Sequence, residues 1–469
     1  MKQNPISRSL IALFLLGVVW SCSKTVDSVV IPTKNTEKAI LTFAFSDMSP
    51  AVDASISGTA ISASVPFNVV VTALVPTITL SDGRATVSPA SGVAQNFTNP
   101  ITYTVTAQDG TTQKYTVTVI KGAIPPNNGT IFVANIAGDF FALDAISGIK
   151  KWQVKLPSST SATPTVSKGI VYISCDNNKI YAFDVITGIK KWEFTHGSYG
   201  NYDDFSAPTV VNGIIYLVGR NKVFALDAVS GVKKWEFAGD SPVWRTSPTV
   251  VSGVLYVIND TDGAYALNAV TGTLIWKQKN VISQTSPAVV NGVIYTSDVD
   301  NVVAINLKDG SIKWKYLADA QFYNSAPTVA NGIVYIGDSY EGIMYAIDAV
   351  TGKKKFEIVT DADIQSSPMV VSGVLYFGSY DEKLYAYNAT TGIKKWEARP
   401  VSGKAVESSP IVANSTVFIT VNNFVLAYDS GTGKEKWKFD SKNDFHTASP
   451  CFLDINGTIY YAGISGDVH

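Results

Sequence analysis

The chain is poor in the residues that carry most enzyme chemistry. Its 469 residues include three histidines, three cysteines and four methionines. His196, His446 and His469 are scattered, so neither a histidine metal cluster nor a hydrolase triad emerges. Cys22, Cys175 and Cys451 are too few for a disulfide framework and include no adjacent pair. Charge is scarce too: a formal net charge of -1 excludes a strongly basic nucleic-acid binder. No phosphate loop or nucleotide fingerprint occurs. Past the N-terminus, no apolar run is long enough to span a bilayer.

Tryptophan, by contrast, is placed with a rule. The pattern aromatic-Ala-x-Asp/Asn-x-x-x-Gly-x-x-x-Trp recurs eight times, with its glycines at Gly148, Gly188, Gly231, Gly272, Gly310, Gly352, Gly392 and Gly433. The aromatic four residues on is Trp152, Trp192, Trp235, Trp276, Trp314, Phe356, Trp396 or Trp437. A spacing of 38 to 43 residues with strand-like content indicates a β-propeller, one four-stranded sheet per repeat. Seven of the nine tryptophans occupy this one position, which points to packing between sheets rather than to chemistry.

Residues 206 to 238 show the logic of one repeat. Pro208 starts a first strand, where a missing N–H is tolerated. Asn212-Gly213 is a hairpin turn, and Ile214-Ile-Tyr-Leu-Val is a strand covered on both faces. Asp227-Ala-Val-Ser-Gly231 is a second tight turn, and Lys233-Lys-Trp-Glu-Phe is the outer strand. Lysine pairs such as Lys190-Lys191 and Lys394-Lys395 fall on that outer edge and discourage edge-to-edge pairing. First-strand prolines and Trp motifs are out of phase along the chain. Closure is therefore expected to place the segment after Pro450 in the sheet that begins at residue 129, giving eight blades with one surplus second-strand copy at the seam. The chain reads as all-β, an eight-bladed β-propeller over 129–469 preceded by a small sandwich.

The N-terminus reads as an export signal. Lys2 and Arg8 precede an apolar core from Leu10 to Trp20, and Ser21-Cys22 follows where cleavage falls, as in a lipobox. Residues 1–21 are expected to be a lipoprotein signal peptide, Cys22 the lipidated residue and 22–35 a tether. Residues 36–121 read as an Ig-like β-sandwich, with strands expected at Leu41–Phe45, Phe67–Thr72, Thr77–Leu80, Ile101–Thr106 and Lys114–Val119. Residues 122–128, with Pro125-Pro126, form a linker. Cys175 and Cys451 read as two small buried thiols, with a bridge across the seam as the alternative.

Ala182-Phe-Asp-Val-Ile-Thr-Gly-Ile-Lys-Lys-Trp192 resembles the pyrroloquinoline-quinone (PQQ) type propeller repeat, over about residues 129–465. That family contains quinoprotein dehydrogenases and cofactor-free binding propellers. In plan the chain is similar to the lipid-anchored propeller subunit of the outer-membrane β-barrel assembly machine. The resemblance implies an adjacent cysteine pair in the catalytic members, which this chain lacks. Its propeller also has only three arginines, Arg220, Arg245 and Arg399, to meet the cofactor's carboxylates. Asp260-Thr-Asp262-Gly263 and Asp298-Val-Asp300-Asn301 read as turns, since neither continues into a calcium loop. No cofactor and no metal are expected.

Function is expected on loops that depart from the repeat. Connections between blades and between second and third strands share one face. That face collects Tyr199, Tyr202, Asp203, Asp204, Phe205, Arg220, Trp244, Arg245, Phe322, Tyr323, Tyr340, Tyr380, Phe445 and His446. The expectation is a non-catalytic scaffold or binding protein, monomeric and anchored by lipid at the outer membrane, on its periplasmic or cell-surface side. Its partner is an envelope protein, or alternatively a surface glycan. A PQQ-dependent dehydrogenase-like quinoprotein is the remaining alternative.

Overall fold

A computed structural model describes residues 34–48, 51–65, 69–121, 129–196, 206–219, 222–240, 246–318, 320–453 and 459–461. The chain divides into two compact units, Met1–Val65 with Val70–Gly122, and Pro66–Val69 with Ala123–His469. Among the described residues the only helix is one 3₁₀ turn, Val71–Ala73.

The N-terminal unit holds a three-stranded sheet ordered Val52–Asp53, Ile40–Phe45, Thr77–Leu80. A five-stranded sheet follows the order Ser55–Ser57, Ala60–Val65, Thr112–Lys121, Ile101–Thr106, Thr86–Ser88. Alternation along Ala60–Val65 and Ile101–Thr106 buries one face. The core is aromatic: Phe43 meets Phe45, Phe97 and Tyr103 edge-on, with centroids 5.4 to 6.4 Å apart. The Asp109-Gly110 hairpin forms, with Gly110 at φ 89° and Thr111 N–H donating to Asp109 Oδ1 at 2.9 Å. One expected strand is corrected. Of the apolar run Phe67–Thr72, Phe67 and Asn68 lie outside the described residues, and Val71–Ala73 turns as 3₁₀, the Val71 carbonyl accepting from Phe97 N–H at 2.8 Å rather than joining a sheet.

The second unit is a β-propeller of eight sheets among the described residues. Seven contain four consecutive antiparallel strands. The second sheet of the eight is typical: Thr165–Ser167, Ile170–Cys175, Lys179–Asp184 and Lys190–Thr195. The two middle strands are almost wholly buried, while the outer strand alternates between half-buried and exposed. The first sheet is different, with order Lys150–Lys155, Asp139–Asp144, Thr130–Ala134, Cys451–Leu453, Ile459–Tyr461. Its inner strand comes from the far end of the chain, Phe452 pairing with Ile131. The surplus second-strand copy, Ile459–Tyr461, adds a fifth strand inside it.

Each sheet is keyed to the next by its tryptophan. A Cβ added to Gly188 would lie 2.9 Å from the Trp152 ring, and one on Gly272 would lie 2.7 Å from Trp235. The same contact joins Trp437 of the eighth sheet to Gly148 of the first, so the contacts form a closed cycle. Trp Nε1 donates across seven of the eight boundaries, for example Trp235 to the Ala269 carbonyl at 3.0 Å and Trp437 to that of Ala145 at 3.0 Å. A second-strand tyrosine often shares that acceptor, Tyr216 Oη donating to Ala269 O at 3.1 Å. Phe356 keeps the ring contact with Gly392 but has no N–H to give. Cys175 and Cys451 are buried free thiols in one apolar cluster across the seam, and burial pushes both thiols up.

Candidate functional site

Strand direction places the second-to-third loops and the between-sheet connectors on one face, and hydrogen bonds weld them together between the fifth and sixth sheets. The connector leaves the strand Ile312–Leu317 and is fixed at once, Ala318 N–H donating to Asp300 O at 3.1 Å. Buried Asp338 is the pin. Its Oδ1 accepts from the backbone N–H of Gln321 at 3.2 Å and of Tyr340 at 2.9 Å, and its Oδ2 from Glu341 N–H at 3.0 Å. Ser339 then closes the pair, its N–H donating to Gln321 O at 2.9 Å while its hydroxyl accepts from Tyr323 N–H at 3.2 Å. A carboxylate serving backbone donors from two loops makes them one rigid ledge.

Over that ledge lies a cleft of about 580 Å³ lined by Asp300, Leu317, Ala318, Ala320, Gln321, Tyr340 and Glu341. Apolar groups project from its lining: Leu317 is 75% exposed and Tyr340 62%. Tyr340 stands edge-on to Tyr323 with centroids 6.2 Å apart. An apolar rim around a few carboxylates and an amide suits recognition of a mixed polar and apolar surface.

The sequence-predicted face is placed only in part. Tyr199, Tyr202, Asp203, Asp204, Phe205, Arg220, Trp244 and Arg245 lie outside the described residues. Tyr323 and Tyr340 are brought together at the cleft. Tyr380 is half-buried, its hydroxyl donating to Gln365 Oε1 at 3.2 Å; burial, with the charges of Glu407 and Asp363, pushes its phenol up to about 12. His446 is exposed, in a turn led by Asp444. Two residues are corrected. Phe322 is 2% exposed and packs against Tyr345, and Phe445 is fully buried against Phe141. Both rings turn inward because their own N–H groups bond to a neighbouring loop, Phe322 to Val299 O and Phe445 to Asn422 O.

The acidic turns are occupied by local partners. Asp298 accepts from Asn301 N–H at 3.0 Å and pairs with Lys315 at 2.8 Å. Asp262 accepts from the Tyr265 hydroxyl and pairs with Lys277 at 3.0 Å, which also meets Asp240 at 2.8 Å. Burial pulls the Lys277 ammonium down, but its hydrogen bonds to Asp240, Tyr265 and Asp262 outweigh this and the net shift is upward. Among the described residues no group of three or more His, Cys, Asp or Glu is placed to hold a metal ion.

Against known proteins, the profile of the family described as "Outer membrane protein assembly factor BamB" matches residues 101–242, 200–329 and 323–438. These stretches together cover well over half of the chain. The chain belongs to the BamB family. Its N-terminal residues 40–119 match a second family, "SGBP, N-terminal". BamB of Moranella endobia is 28% identical over 233 residues, 47% of this chain and 60% of that protein. The quinohemoprotein alcohol dehydrogenase ADH-IIG of Pseudomonas putida is 29% identical over 167 residues, 33% of this chain and 19% of that enzyme. The chain therefore spans about a fifth of the dehydrogenase and three fifths of the Moranella BamB. The crystal structure of a quinohemoprotein alcohol dehydrogenase from Comamonas testosteroni superimposes with a TM-score of 0.55 at 15% identity, covering 73% of this chain and 74% of that one. That likeness is one of fold.

Proposed function

We propose that the chain is a non-catalytic scaffold or binding protein of the cell envelope, an eight-bladed propeller carried on an Ig-like domain and held at the outer membrane through a lipid on Cys22. Its working surface is the loop face, centred on the cleft between the fifth and sixth sheets. The observation that carries this reading is the pair of exposed apolar side chains Leu317 and Tyr340 lining the cleft on a ledge made rigid by buried Asp338. Preformed, partly apolar surfaces on a rigid scaffold are what protein recognition uses. Membership of the BamB family supports an envelope role, and BamB proteins are named for outer membrane protein assembly. The partner is accordingly an envelope protein.

A glycan-binding surface lipoprotein is the second reading. The N-terminal match to the SGBP family favours it, as do the paired tyrosines beside Gln321 and Glu341. Photo-crosslinkers placed at Leu317 and at Lys233 in native envelopes test the first reading. Protein adducts from Leu317 alone support it. Adducts from Lys233 alone, or loss of every Leu317 adduct on adding soluble polysaccharide, refute it.

A further inference from the structure

The opposite face of the propeller is made of the first-to-second and third-to-fourth turns, and its eight repeats are not equivalent. In the turn Asp-x-x-x-Gly-x, two side chains stand at the tip. The first tip position holds Ile146, Ile186, Val229 and Val270 in the first four sheets, 51% to 69% exposed. The second holds Ile149, Ile189 and Val232, 49% to 68% exposed. The fifth sheet has Lys308 and Ser311 at these positions, and the eighth has Gly431 and Lys434. Only Val350 and Ile393 interrupt the polar half. The aliphatic tips thus form an arc over half of the cycle, where the repeat itself tolerates polar residues.

We propose that this turn face lies flat on an anionic lipid bilayer, with the aliphatic arc entering the interface. Equivalent positions in a cycle of like sheets are related by rotation about one axis. Such a rotation leaves height along the axis unchanged, so the tips share a plane. A planar occupant touches all of them together. Charge agrees. Lys168, Lys308, Lys353 and Lys434 stand at the turn tips with one acid there, Asp309, while the turn-leading Asp144, Asp184, Asp227, Asp348 and Asp429 are each paired with an outer-strand lysine, Lys151, Lys191, Lys234, Lys355 and Lys436, at 3.1 to 3.6 Å, which leaves the face with an excess of lysine. Behind the arc stand Lys150, bonded to Gln153 at 2.7 Å, and Lys190 and Lys233, each in a surface pair with a glutamate at 2.8 and 2.7 Å. Exposed pairs of that kind are worth little and exchange readily for lipid phosphates. Aliphatic tips backed by lysine are the composition of an interfacial segment. The face also points away from the loop cleft, so membrane contact and partner capture can coexist. This proposal does not rest on the loop-face reading.

The test uses the full chain carrying Cys22→Ala, so that no acyl anchor contributes. Flotation with phosphatidylethanolamine and phosphatidylglycerol vesicles at low salt should show partition, weaker with phosphatidylcholine alone. Ile149→Ser, Ile189→Ser and Val232→Ser together should lower partition roughly tenfold or more. These tips are exposed, so the variant should melt with the parent. A polarity-sensitive dye on Ile189→Cys, with Cys175 and Cys451 buried, should shift to the blue on adding vesicles. No partition at low salt would overturn the proposal. So would equal partition of the triple variant, or loss of partition in Leu317→Ser with Tyr340→Ser instead. An oligomer formed through the arc without lipid would also overturn it, since a second copy would then be the occupant.

Discussion

Two glycines in the fourth sheet separate backbone strain from packing between sheets. Gly253 sits at φ 79° in the first turn with nothing within 4 Å of an added Cβ. Gly272 sits at φ 72° in the third turn, and an added Cβ would lie 2.7 Å from Trp235 Cδ2 and Cε3. Alanine at either site must accept a left-handed backbone, costing about 1–2 kcal/mol. At Gly272 it must also displace an indole that cannot retreat. Trp235 is tied to the Ala269 carbonyl at 3.0 Å and backed by Tyr216 with centroids 6.0 Å apart. Overpacking of that kind costs about 1–3 kcal/mol more. Urea unfolding of both variants should therefore show Gly272→Ala less stable than Gly253→Ala by about 1–3 kcal/mol, with unchanged slopes. Equal losses would refute the idea that the glycine exists to seat the neighbouring tryptophan.

Other perturbations follow from the same contacts. Trp235→Ala should cost about 3 kcal/mol by opening a void between the third and fourth sheets, read as a lowered urea midpoint; a loss under about 1 kcal/mol would mean the indole packs nothing. Burial holds His196 at about 4, against 6.5 when exposed. The unfolded chain therefore binds the proton first, and stability that is complete above pH 6.5 falls as pH drops toward 4. His196→Gln should flatten that part of a melting-temperature profile. Cys22→Ala should abolish incorporation of labelled fatty acid, which the parent chain should show; equal labelling would place the anchor elsewhere.

The period of Gly and Trp made the sheets legible, because one ring meeting one glycine across each boundary is a contact that sequence spacing records. The role of Pro450 was legible for the same reason: a first-strand signature late in the chain needs a sheet that lacks one. The shared carbonyl acceptor of Tyr216 and Trp235 was not. Tyr216 reads as one more apolar residue in a buried strand, and its hydroxyl finds its partner 53 residues away. Phe322 and Phe445 were misread because spacing assigns a residue to a loop without saying which way the loop turns. Asp338 went unnoticed among the acidic turns, although Asp-Ser-Tyr-Glu-Gly342, with Gly342 at φ 68°, marks a turn that a carboxylate organises.

The seam sets an order of assembly. Seven of the sheets are made of strands adjacent in the chain, so each can form as soon as its own forty or so residues are available, with little loop entropy to overcome. The first sheet cannot. Its Thr130–Ala134 strand waits for Cys451–Leu453, and the bond from Trp437 to Ala145 spans 292 residues. Until residues 451–453 arrive, the chain is an open stack with one strand edge unpaired at one end and an unkeyed tryptophan at the other. Those two edges are where chaperones and proteases meet an unfinished molecule, and a lesion near residue 451 should damage the protein's yield far more than its finished stability suggests.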